Sequence, residues 1–114
     1  MNDLRAMAIS PLDGRYGARL ERLASYFSEH ALMKARLRVE VEHAIALSDT
    51  GLFGTLDEGE TARLRDAHAS FDAAAYAELK GIEAEVRHDV KACELYLKRK
   101  AALRKPNRIH FGLT

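Results

Sequence analysis

A chain of 114 residues, 47% hydrophobic and 31% charged, is long enough for one domain with a modest core and too apolar for a disordered segment. Its formal net charge of +1 supplies no field toward nucleic acid or an anionic membrane, and a lone cysteine, Cys93, excludes a disulfide framework and points to a reducing compartment. No apolar stretch reaches the length of a signal peptide or a membrane span, so the expected setting is the cytoplasm.

Residues 1–16 carry no helical period. Ser10-Pro11 favours extended backbone, because proline disfavours the α region for the residue before it. Asp13-Gly14 signals a turn that would present Arg15 and Tyr16 side by side. From Pro11 to Pro106 there is no proline, and Ala, Leu, Glu, Lys and Arg dominate, a composition that favours helix. Leu20, Leu23, Ala24 and Phe27 fall at i, i+3, i+4 and i+7 and predict an amphipathic first helix. Ser28 can cap a second helix running to about Thr50, before Gly51.

Arg36 to Glu42 alternates polar and apolar residues, which is a strand pattern. Read helically, Met33, Leu37, Val41, Ala44, Ile45 and Ser48 form one stripe, with Leu32, Ala35 and Val39 beside it. No second strand of matching period exists to pair with, so helix is the expectation.

Gly51 to Gly54 reads as a connector. Asp57 with Glu60 three residues later resembles a capping box, and Leu64, Ala67 and Phe71 then make a helix face. Asp72 caps a fresh segment in which Ala75, Leu79 and Ile82 continue the stripe, leaving open whether Ser70–Asp72 is a break or a bend. Gly81 weakens this helix, and Glu83 to Val86 read as a loop. The last helix is expected from about Asp89 to Arg104, before Pro106. It carries Val90, Cys93, Leu97 and Ala101 on one side and Ala92, Leu95, Tyr96 and Leu103 on the other. A helix apolar on two sides calls for neighbours on two sides, and the second of these suggests a partner surface.

The fold expected is therefore all-α: a small domain of about four to five helices, preceded by an extended N-terminal segment. Arg87, His88 and Asp89 crowd the start of the last helix, where partial positive charge and unpaired N–H groups attract anions. Lys98, Arg99, Lys100, Arg104, Lys105 and Arg108 make the chain end basic, but without interleaved aromatics or a nucleic-acid motif they read as a solvated face. Histidines 30, 43, 68, 88 and 110 show no paired metal-ligand spacing.

Three motifs stand in order: Ser10-Pro11-Leu12-Asp13-Gly14-Arg15-Tyr16, Arg87-His88-Asp89-Val90-Lys91-Ala92, and His110-Phe111-Gly112-Leu113-Thr114. Together they resemble the N-terminal domain of the adenylosuccinate lyases, in the fumarase/aspartase superfamily, from about Ile9 onward. The resemblance implies a β-elimination without metal or organic cofactor, releasing fumarate from adenylosuccinate or from the succinylated carboxamide ribotide. It implies substrate-binding roles for Arg15, Tyr16, Arg87, His88, Asp89 and Thr114. Arg15 would donate to the phosphate, Thr114 would begin the pair that binds the succinyl carboxylate, and His88 would support catalysis.

His110, although in a motif, is expected to be structural. The resemblance further implies that residues 1–114 form one helical N-terminal domain of a longer, homotetrameric lyase with a nucleotide substrate and no nucleic-acid or membrane partner. The histidine acid and serine base of the family lie in regions beyond this sequence, as do the central bundle and C-terminal domain, so no catalytic proton donor or acceptor is expected here. Val86 departs from the family, many members of which carry threonine there. Two other readings stay open: a non-catalytic helical interaction module, and the corresponding domain of another superfamily lyase.

Overall fold

Side chains that cap their own helices set four helix starts in the computed structural model, which describes residues 3–113, with side chains from Arg5 onward. In chain order the helices are α1 (Asp3–Ala6), α2 (Glu21–Phe27), α3 (Glu29–Asp49), α4 (Glu58–Ala69), α5 (Ala73–Val86) and α6 (Asp89–Ala101). Short 3-10 turns occupy Gly17–Arg19 and Pro106–Arg108. No strand occurs among the described residues, so the architecture is all-α as the composition and periodicity predict. No helix among them is long and apolar enough to cross a membrane.

The caps form as expected. Ser28 Oγ accepts the Ala31 N–H, and Asp72 Oδ1 accepts that of Ala75. Asp57 Oδ1 takes the Glu60 N–H while Glu60 Oε1 takes the Asp57 N–H, a complete capping box. Ser70–Asp72 is a true break, with Ser70 closing α4 before Asp72 opens α5.

The chain divides into two compact units, one ending at Leu32 and one beginning at Met33. The first differs from the extended segment expected. After α1, the Ser10 carbonyl accepts N–H groups from Asp13 and Gly14, its hydroxyl accepts that of Leu12, and the Pro11 carbonyl accepts that of Tyr16. Proline constrains the residue before it, yet a serine that gathers three donors still curls the chain after it. Gly14 is the only described residue of this unit that is buried. A Cβ there would lie 2.5 Å from the Arg5 carbonyl oxygen, so only glycine fits. The apolar face of α2 is left exposed, Phe27 at 81% and Leu23 at 48%. About thirty residues are too few to enclose a core.

The second unit has one. Met33, Leu37, Val41 and Ala44 of α3 pack with Leu64 and Ala67 of α4, Leu79 and Ile82 of α5, and Ala92, Cys93, Tyr96, Leu97 and Ala101 of α6. The alternating stretch in α3 is helical, and its period-four members Leu37 and Val41 are buried while Val39 stays 57% exposed. Phe71 meets Tyr96 edge-on, ring centroids 5.7 Å apart.

Three sequence expectations are corrected here. Residues 83–86 are not a loop: α5 continues to Val86, and Arg87 stops it in the left-handed region (φ 55°, ψ 37°) with its N–H on the Glu83 carbonyl. The last helix ends at Ala101 rather than Arg104, because α4 takes hold of its end. Arg63 Nε donates to the Ala101 carbonyl at 2.7 Å, and Glu60 Oε2 accepts the Arg104 N–H at 3.0 Å, so helix hydrogen bonds are replaced and Ala102 can turn left-handed. Finally, the two apolar sides of α6 are both covered within this unit, since Ala92, Cys93, Tyr96, Leu97 and Ala101 are all buried. That helix requires no outside partner.

Candidate functional site

Two clusters hold the residues singled out from the sequence, one in each unit. In the first, the hydrogen bonds of the Ser10–Tyr16 turn bring Arg15 and Tyr16 to one side, the guanidinium 5.2 Å from the centroid of the Tyr16 ring. Both residues line a cavity of about 670 Å³ together with Arg5, Ser10, Pro11 and Gly14. That volume is in the range of small-molecule sites. A guanidinium stacked on a phenol there is held ready to donate to an anionic group.

In the second, the order of residues at the α5–α6 junction assigns their jobs. Arg87 spends its backbone on closing α5 and leaves its side chain in solvent. His88 is the N-cap of α6: its Nδ1 accepts the Lys91 N–H at 3.0 Å. Nδ1 is therefore unprotonated in the capped form, and a neutral ring carries its proton on Nε2. With the side chain 63% exposed, His88 presents a donor outward.

Asp89 begins the helix proper. Its Oδ2 accepts from Arg36 Nη1 at 2.7 Å and its Oδ1 from the Val90 N–H at 2.8 Å. The hydrogen bond from Arg36 first, then that of Val90, hold its carboxyl below the usual carboxylate range. Asp89 thus ties the start of α6 to Arg36 of α3.

Beside this junction lies a cavity of about 300 Å³ reaching from Arg36, Val39 and Val90 to His110 and Leu113. Its floor is the pair Glu40 Oε1 and His110 Nδ1 at 2.5 Å, Glu40 buried and His110 partly so. His110 has a left-handed backbone (φ 69°), and His43 Nε2 bonds the next carbonyl, that of Phe111. Glu40 and His43, one turn apart on α3, thereby fasten the loop that leads to residue 114.

No protein-family model matches the chain. Individual proteins do. An adenylosuccinate lyase of Dictyostelium discoideum is 38% identical over 94% of the chain, one of Legionella pneumophila 41% over 82%, and one of Escherichia coli K12 40% over 83%. Over most of its length the chain is thus similar to adenylosuccinate lyases. It spans about a quarter of the length of these relatives, 25%, 21% and 22% respectively.

Of the adenylosuccinate lyase residues expected from sequence, Arg15 and Tyr16 share one cavity, and Arg87, His88 and Asp89 share one helix junction. Thr114 lies outside the described residues. The sequence reading missed Arg36, which fixes Asp89 from 53 residues away, and Glu40, which holds His110 from 70 away. Nothing near either residue in the chain signals its partner. Val86 closes α5 as its last residue, 38% exposed.

Cys93 of α6 lies on the wall of the 300 Å³ cavity beside Arg36 and His110. It is fully buried with its Sγ 3.8 Å from Met33 Sδ, and burial pushes its thiol up to about 11. The folded chain at pH 8 is expected to react with a disulfide reagent only as fast as it opens, and denaturant should release one fast equivalent. Rapid full labelling without denaturant would contradict this placement.

Proposed function

We propose that this chain serves as the N-terminal, substrate-binding part of an adenylosuccinate lyase, which cleaves adenylosuccinate to AMP and fumarate in the cytoplasm and treats the succinylated carboxamide ribotide likewise. The observation that carries the reading is the 38% identity over 94% of the chain to one such lyase. In this reading Arg15 donates to the nucleotide phosphate, with Tyr16 beside it. His88 offers its Nε2–H to the substrate, while Arg87 adds positive charge and Asp89 holds the junction in register. Thr114 belongs to the succinyl carboxylate site. The proton donor and acceptor of the elimination come from other parts of the lyase, and the assembly is a homotetramer whose sites draw on several subunits.

The exposed apolar face of α2 and the exposed Leu32 and Val39 of α3 support an assembled protein, because such residues gain by being covered. They serve an interaction module equally well, but that reading gives Arg15, Tyr16 and His88 nothing to do.

The test is a chimera in which this chain replaces the matching segment of the Escherichia coli lyase. Fumarate release from adenylosuccinate is expected, and Arg15→Lys in the chimera should weaken substrate binding by about tenfold or more, since an ammonium cannot reproduce a forked contact. This chain alone should release none. A folded chimera without activity, or turnover by the isolated chain, would overturn the proposal.

A further inference from the structure

We infer that the connector between α3 and α4, together with the segment after α6, forms a separate binding site for a phosphate-type dianion. The site is a cavity of about 270 Å³ lined by Phe53, Gly54, Thr55, Arg104, Lys105 and Arg108. Arg108 carries the argument. It is 2% exposed, its Nη2 donates to the Phe53 carbonyl at 2.9 Å, and its Nε and Nη1 are buried with no acceptor. Guanidinium is always charged, and a buried charge whose donors lack partners is strongly unfavourable unless an anion comes to meet it.

The other cations sort themselves by partner. Arg104 is balanced, with Nη2 3.1 Å from Glu60 and 3.7 Å from Asp57. Lys105 pairs with no carboxylate among the described residues, and its Nζ stands over Gly54, 3.7 Å from where a Cβ would be. Two positive charges without a carboxylate partner, Lys105 and Arg108, thus stand in the walls of one cavity. A dianion matches them where a single carboxylate leaves one over. The volume is below that of a typical small-molecule pocket, so it suits a phosphate group rather than a whole nucleotide. Thr55 contributes a hydroxyl to the same wall.

None of these residues belongs to the Arg15 or His88 clusters, and the inference does not depend on the lyase reading. The cluster is invisible as a motif because its cations come from one stretch and its walls from another 50 residues earlier.

The test is a titration of the 114-residue chain with inorganic phosphate at pH 8 and constant ionic strength, followed by amide chemical shifts. Gly54, Thr55 and Lys105 should move along one saturating curve, and acetate at equal concentration should move them far less. Lys105→Ala removes an exposed side chain, so the fold should survive it, and phosphate affinity should fall about tenfold, the scale of one charge-assisted contact. No saturation at tens of millimolar phosphate, equal binding of acetate, or unchanged affinity in Lys105→Ala would each overturn the site.

Discussion

Glu60→Ala is expected to destabilise the unit that begins at Met33 by about 2–4 kcal/mol, the range for leaving two backbone N–H groups without their acceptor. Glu60 is 1% exposed and makes three bonds with its two oxygens: to the Asp57 N–H, the Arg104 N–H and Arg104 Nη2. It therefore starts α4 and anchors the chain just past the end of α6 at once. Alanine would leave two backbone N–H groups without their acceptor and Arg104 without its nearest counter-charge.

Glu60→Gln, which keeps the shape but exchanges one acceptor for a donor, should lose less, about 1–3 kcal/mol. Urea unfolding of the three proteins at pH 7 measures both. The Arg104 N–H above all, opposed by burial, holds the Glu60 carboxyl below its ordinary value of 4.5. A carboxyl depressed in the folded state contributes stability that is complete above its unfolded value and disappears as pH falls through the folded one. The original chain should accordingly lose stability more steeply than Glu60→Gln below about pH 4.5. Parallel acid limbs would show that Glu60 stays uncoupled from Arg104.

In a full-length lyase carrying this chain, His88→Asn is expected to lower kcat/KM by roughly ten- to a hundredfold while leaving stability nearly unchanged, the loss expected when a hydrogen bond to a charged group is removed. Asparagine is among the best N-caps, so its side-chain oxygen can replace Nδ1 as acceptor for the Lys91 N–H. It cannot reach outward as Nε2 does. His88→Ala should lose activity to the same degree and in addition about 1 kcal/mol of stability, because the cap goes too. Comparing kinetics with unfolding midpoints for the two variants separates the roles. Full activity in His88→Asn would reduce His88 to a helix cap.

Much of this protein is written in short-range signals. Ser28, Asp57 and Asp72 each bond a backbone N–H three residues on, so the sequence by itself places the starts of α3, α4 and α5. The Asp13-Gly14 turn and the stripe Met33, Leu37, Val41 and Ala44 were legible for the same reason, since neighbours in the chain decide them. The tertiary structure decided what depends on distant partners. Arg63 and Glu60 reach from α4 to end α6 early, Arg36 crosses 53 residues to Asp89, and Glu40 crosses 70 to His110. It also decided that both faces of α6 are covered from within while the equally apolar face of α2 is left open. A hydrogen bond within one helical turn is enforced by chain geometry, whereas a charged side chain finds a remote partner only after packing has brought two helices together.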